Sequence, residues 1–335
     1  MKTSILVAIS FVIAIGTAIA QPVSTNNQFL PGQKLLDNQG NFVNAHGGAV
    51  IFQDGKYYWF GEKRGTSASE GVNVYSSTDL CNWKFEALAL APVSTDTNSE
   101  IEEGCVMERP KIIYNQATKQ YVLWFHLELK GQGYAAARVA VAVSNQITGP
   151  YQFVRSFRPN GNMSRDMTIF QDDDGLAYLI YSSRENYDLR ITQLTDDYLS
   201  VTTKDKMLFS NHREAPAVFK HNNLYYLITS GCTGWQPNKA SLHATKNIWG
   251  DWVESTLNPM RGLEWDKTFG GQSTYVLPVQ GKKDQFIFIA DKWNSRNLKD
   301  SRYIWLPIQL HTEIPTVQWM ENWNMNWFQQ PVSKH

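Results

Sequence analysis

Cysteine is scarce in this sequence: Cys81, Cys105 and Cys232 are the only three in 335 residues. No two of them form a CxxC pair and no HExxH motif occurs, so the common zinc patterns are excluded. In an oxidising compartment three thiols allow one disulfide; three buried small side chains are an equally open reading. A charge of one sign is also missing, since 31 basic and 31 acidic side chains leave a formal net charge of +0. That balance removes nucleic acid and anionic membranes as partners suggested by composition. Long amphipathic helical patterns are lacking, as are Pro- or Ser-rich linkers after residue 30. A single domain over 21–335 is therefore expected.

The chain does hold one apolar run, Ile5 to Ile15, behind Lys2 and ahead of Ala18-Ile19-Ala20. A basic start, an apolar stretch and a small-x-small site predict a signal peptide over 1–20, with Gln21 as the mature start. The run is short for a membrane span of ~20 residues. No cysteine follows the cleavage site, so a lipoprotein is not expected. The mature protein is expected to be secreted or periplasmic, soluble and monomeric.

Aromatics are abundant, with 12 Trp and 15 Tyr, and they recur in a pattern. Two apolar residues, a polar turn and an aromatic strand appear together at Val50–Phe60, Ile112–Phe125, Ile169–Tyr181, Val218–Ile228 and Tyr275–Ala290. Each reads as a β-hairpin. Weaker strands follow the first four, at Val72–Ser77, Val139–Ser144, Leu189–Thr192 and Leu242–Ala244. Four strands per unit, repeated five times at roughly 50–60 residues, predict an all-β, five-bladed β-propeller.

The innermost strand of a propeller blade lines the central channel, so the residues opening each hairpin converge there. They are Asn44-Ala45-His46-Gly47-Gly48, Met107-Glu108-Arg109-Pro110, Ser164-Arg165-Asp166-Met167, His212-Arg213-Glu214-Ala215-Pro216 and Gly270-Gly271-Gln272-Ser273-Thr274. A carboxylate or amide at one position of four blades makes a polar ring, with an excess of carboxylates expected at the channel mouth. Glu214, ahead of an apolar run, should be desolvated and its pKa raised. Asp166 should be held ionised by the adjacent Arg165, or should perturb Glu214 at short range. A protonated acid beside a group that keeps it protonated suits glycosidic bond cleavage.

These stretches resemble glycoside hydrolase family 43, in particular its exo-β-1,3-galactanase branch. The resemblance rests on Ala45-His46-Gly47-Gly48, Tyr57-Tyr58-Trp59-Phe60-Gly61-Glu62, Glu108-Arg109-Pro110-Lys111 and Ser164-Arg165-Asp166-Met167. It continues through Arg213-Glu214-Ala215-Pro216-Ala217, Thr229–Trp235, Gly271-Gln272-Ser273-Thr274 and Asp300–Pro307. It implies an inverting mechanism with Glu214 as general acid and Asp166 tuning it. The first-blade Asp that serves the wider family as base is missing from Asn44–Gly48. The branch shares this departure, and the resemblance implies that Gln272 holds the nucleophilic water there, with Glu108 nearby. An amide is a poor base. On pKa grounds His46 is a chemically easier candidate for that role or for substrate contact. The resemblance also implies that Glu62, Tyr134 and Thr233 surround the terminal sugar, with Trp235 as a stacking wall.

The expected function is thus release of galactose from the non-reducing end of β-1,3-galactan, as in arabinogalactan breakdown, with a neutral polysaccharide or oligosaccharide as partner. An inverting site should separate Glu214 from the water-holding group by roughly 6.5–9.5 Å. An α-L-arabinofuranosidase or β-galactofuranosidase of the same family, and a non-catalytic carbohydrate-binding propeller, are the alternatives. No cofactor is expected. Nor is a metal, because Asp172-Asp173-Asp174-Gly175 falls at a hairpin tip and lacks EF-hand spacing.

Overall fold

The computed structural model describes residues 26–65 and 68–329. The predicted signal peptide lies outside the described residues. The described chain forms five sheets, four of four strands and one of five, arranged as a five-bladed β-propeller. The inner strands are His46–Gln53, Val106–Asn115, Met167–Gln171, Arg213–His221 and Gln272–Pro278. Each touches the next and the fifth touches the first, which closes the ring.

The hairpins follow from their turn chemistry. Gln53 pairs with Lys56 across Asp54-Gly55, and both turn residues have positive φ, 48° and 80°. In the fourth blade Asn222-Asn223 do the same at 49° and 59°, between paired His221 and Leu224. Two left-handed residues give a turn whose twist matches the strands it joins, and Asp, Asn and Gly tolerate them best. The five-stranded sheet arises because Met260–Arg261, leaving the fourth blade, pairs in parallel with Thr316–Gln318.

Apolar side chains fill the spaces between neighbouring blades rather than one central core. One cluster joins the first and second blades through Phe60, Val74, Met107 and Phe125. Another joins the second and third through Trp124, Val141, Ile169 and Tyr181. Between the last and first blades, Trp59, Trp83 and Trp305 pack edge to face, with ring centroids 5.0–5.8 Å apart. Such arrangements add to what burial alone supplies. The ring is latched by backbone bonds between Phe29 and Trp323 and by Tyr303, whose hydroxyl donates to Val43 O and accepts from Ala45 N.

Four inner strands break register where they enter the ring: between His46 and Ala49, Glu108 and Lys111, Glu214 and Ala217, and Ser273 and Tyr275. Gly47, Arg109 and Ala215 adopt positive φ at three of these bulges. A bulge re-aims the side chains around it, here at the mouth of the channel. At the first bulge the chain runs so close to its neighbour that a Cβ on Gly48 would lie 1.9 Å from the Phe60 carbonyl oxygen. Gly48→Ala is expected to destabilise the fold by about 2–3 kcal/mol, since backbone must move. Chemical denaturation would show a lowered midpoint, and an unchanged midpoint would contradict this packing.

All three cysteines are unpaired, and Cys81 and Cys105 are buried. At the third hairpin tip Asp172 and Asp173 accept hydrogen bonds from Lys220 Nζ at 2.6 and 2.8 Å.

Candidate active site

The inner ends of the blades surround a cavity of about 220 Å³. Glu108, Asp166, Glu214 and Gln272 reach it from the second to fifth blades, and Gly47 from the first. Glu62, Tyr134 and Trp235 line it as well, together with Arg64, Arg109, His126, Arg165, Asn186 and Trp293.

Glu214 is only 9% exposed and sits in a linked set of hydrogen bonds. Gln272 Nε2 donates to its Oε1 at 2.8 Å, and Asn186 Nδ2 donates to its Oε2 at 2.9 Å. Burial, and then the charge of Asp166, push the Glu214 carboxyl up to about 8, against the opposing pull of Arg109. Asp166 is in turn paired with Arg109, whose Nη2 donates to Oδ2 at 2.8 Å. The same Nη2 donates to Gln272 Oε1, which also accepts from Trp293 Nε1 at 2.9 Å. The Glu214 carboxyl therefore keeps its proton to higher pH than an ordinary carboxyl, and the nearby Asp166 charge favours that state.

A second set lies towards the first two blades. Glu108 Oε1 accepts from Arg64 Nη2 at 2.6 Å and from the Tyr134 hydroxyl at 2.7 Å, while His126 Nδ1 lies 3.2 Å from Oε2. Burial would raise Glu108, but Arg64, His126 and Tyr134 outweigh it and hold the carboxyl well below its usual range. His126 also bonds Glu128 Oε1 at 2.7 Å. Burial opposes its protonation, yet the two carboxylates outweigh that and lift it to about 9. Glu62, 2.8 Å from Arg64 Nε and bonded by the Ser69 hydroxyl, is pushed upward by burial and by the Glu108 charge. Two buried carboxyls sharing one guanidinium divide their roles: Glu108 stays ionised and Glu62 takes a proton more readily.

Two residues expected at the sugar lie elsewhere. His46 is 0% exposed, stacked on Tyr303 at 5.1 Å, and does not line the cavity. It is enclosed among Tyr303, Asp291 and Trp293, with its Nδ1 3.4 Å from Asp291 Oδ1 and its ring 5.6 Å from that of Trp293. Thr233 is exposed in the loop beside Gly234 and Trp235, where its hydroxyl donates to Gln236 O at 2.6 Å. It does not line the cavity either. Arg165, expected to hold Asp166, instead donates to Tyr134 O at 2.9 Å and pairs with Glu185. Gln272 touches Glu214 instead of standing roughly 6.5–9.5 Å away across a sugar. The expected carboxylate excess is offset by Arg64, Arg109, Arg165 and the His126 imidazolium.

Sequence reasoning missed Arg64, Arg109, His126, Asn186 and Trp293 as site residues. Two carried a usable signal. Arg109 directly follows Glu108, and His126 is the cross-strand partner of Glu108 in the hairpin register. Trp235 and Trp293 meet edge to face at 5.2 Å, with the Arg64 guanidinium 5.4 and 5.7 Å from their rings. They form one wall of the cavity.

A model of the glycosyl hydrolases family 43 matches residues 45–298. The chain is 48% identical to a solved family 43 β-1,3-galactosidase with galactodeoxynojirimycin, covering 89% of this chain and 100% of that one, with a TM-score of 0.86. It is 34% identical to an exo-β-1,3-galactanase from Phanerochaete chrysosporium solved with β-1,3-galactotriose, covering 90% of this chain and 69% of that one, with a TM-score of 0.83. A xylan 1,3-β-xylosidase from a Vibrio species is 23% identical over 201 residues, 57% of this chain but 37% of the relative's own length. The match begins at the first inner strand and runs through all five, taking in the four blade-start side chains of the cavity. On that extent and that fold, the chain belongs to family 43 of the glycosyl hydrolases.

Proposed function

We propose that the protein is an exported, inverting, exo-acting hydrolase that releases galactose from the non-reducing end of β-1,3-galactan. The observation that carries this reading is Glu214: a buried carboxyl raised to about 8, facing a cavity and fixed by Gln272 and Asn186. The similarity to galactan-acting structures supports the sugar and the linkage. A cavity of about 220 Å³ is smaller than a typical ligand pocket of about 300–1,000 Å³, which suits one terminal sugar and hence exo action. The apolar start of the chain supports export.

In this mechanism the Glu214 O–H donates its proton to the glycosidic oxygen as the bond to the anomeric carbon breaks. Water attacks that carbon from the opposite face and gives its proton to Glu108, which is ionised across the neutral range. Gln272 is unsuited to receive that proton, because a neutral amide is a far weaker base than a carboxylate. Glu62 and Tyr134 bind hydroxyls of the sugar, and Trp235 packs on its C–H face.

Side-by-side incubation with β-1,3-galactobiose and an aryl α-L-arabinofuranoside tests the substrate. Galactose release from the first, at least 100-fold faster than cleavage of the second, is expected. Preferential cleavage of the arabinofuranoside would move the reading to a furanosidase.

A further inference from the structure

We propose that the loop from Gly262 to Gly271 is a second carbohydrate-binding surface, on which Trp265 and Leu263 hold the leaving-group side of the polysaccharide beyond the sugar in the cavity. This rests on the galactan reading and extends it from one sugar to a chain. Trp265 is 44% exposed and Leu263 58%, in a molecule that buries Trp59, Trp83 and Trp124 almost completely. Their loop is not a slack insertion. Glu264, Thr268 and Phe269 all adopt left-handed backbone, at φ 48°, 52° and 63°, a costly choice for residues with side chains. Phe269 and Thr268 are buried anchors, and Thr268 Oγ1 donates to Asn238 O at 2.7 Å. Strain held by anchors while an indole faces solvent is the arrangement of a preorganised contact surface.

The loop is continuous with the cavity on three sides. It runs directly into Gln272. Asn238 and Lys239 belong to the segment that carries Gly234 and Trp235, and Lys239 Nζ stands 5.6 Å from the Trp265 ring centroid. A Cβ on Gly270 would meet Lys292 Cε at 3.1 Å, beside the cavity residue Trp293. The indoles of Trp293 and Trp235 form the cavity wall, and Trp265 is tied to that rim through Lys239 and through the loop that ends at Gln272. Charge along the loop is close to balanced, with Lys239, Lys267 and Lys292 set against Glu264 and Asp266. A neutral chain of sugar rings fits such a surface, its C–H faces against the indole; a charged polymer would gain little there.

The test compares kcat/KM on polymeric β-1,3-galactan with kcat/KM on β-1,3-galactobiose, for the parent, Trp265→Ala and Trp265→Phe. The polymer-to-disaccharide ratio should fall about five- to tenfold in Trp265→Ala, through KM, and be largely restored in Trp265→Phe. A ratio unchanged in Trp265→Ala overturns the platform and leaves the galactanase reading intact. A parent inactive on both substrates overturns that reading and the platform with it. Sedimentation of the parent and Trp265→Ala covers the other occupant: loss of self-association with an unchanged ratio would assign the surface to a second copy of the chain, against the proposal.

Discussion

Glu214→Gln is expected to lower kcat/KM for β-1,3-galactobiose by about 10²- to 10⁴-fold, the range a general acid supplies. The substitution keeps the volume and an acceptor for Gln272 while removing the transferable proton. The pH profile carries the sharper signature. As the proposed acid Glu214 works protonated, so parent kcat/KM should hold through neutrality and fall as pH rises through about 8. An aryl galactoside, whose leaving group departs without protonation, should lose far less on the same substitution. Loss of equal size on both substrates would mean that the substitution had damaged binding instead of acid catalysis.

The same group ties activity to stability. Its carboxyl is raised from an ordinary value of 4.5 to about 8 in the folded chain. Between those values the unfolded chain has lost the proton and the folded chain keeps it. The contribution to stability is complete below pH 4.5 and declines as pH rises through 8. Glu214→Gln removes that decline, so its thermal midpoint should gain on the parent at pH 8 and not at pH 4. Catalytic acids are often held at such a cost to the fold.

Asp166→Asn should lower kcat/KM by about 10²-fold at pH 7.5 and, more tellingly, move the alkaline limb to lower pH. Asp166 is the charged neighbour that raises Glu214 most, and Arg109 opposes it. Removing the carboxylate takes away the anion and frees the Arg109 guanidinium from its 2.8 Å pair. Both changes favour ionised Glu214, so less of it is protonated at any neutral pH. A depressed rate with the limb still near pH 8 would make Asp166 a binding residue alone.

The sequence exposes the blades because each is built on a local signal, a hairpin of aromatic period-2 strands around a turn such as Asp54-Gly55. The side chains opening the inner strands are legible for the same reason, since they adjoin those hairpins. What stays hidden depends on pairing across strands and blades. His126 becomes part of the site only through its register with Glu108, and Asn186 only through the approach of a third-blade turn to a fourth-blade strand. His46 shows the converse. It stands one residue from Gly47, which lines the cavity, and opposite Glu62 in the hairpin, but Tyr303, Trp293 and Asp291 enclose it and it does not line the cavity. Charge is similarly misjudged along the chain: the carboxylates at the blade starts are visible, whereas Arg64 and the protonated His126 that offset them come from second strands.

The most direct test of the account is to follow β-1,3-galactobiose hydrolysis by proton NMR before mutarotation sets in. Inversion with Glu214 as acid and Glu108 on the water side predicts α-galactose as the first product. β-Galactose appearing first would mean retention, and with it a nucleophilic carboxylate about 5–5.5 Å from the acid, which contradicts the arrangement proposed for this cavity.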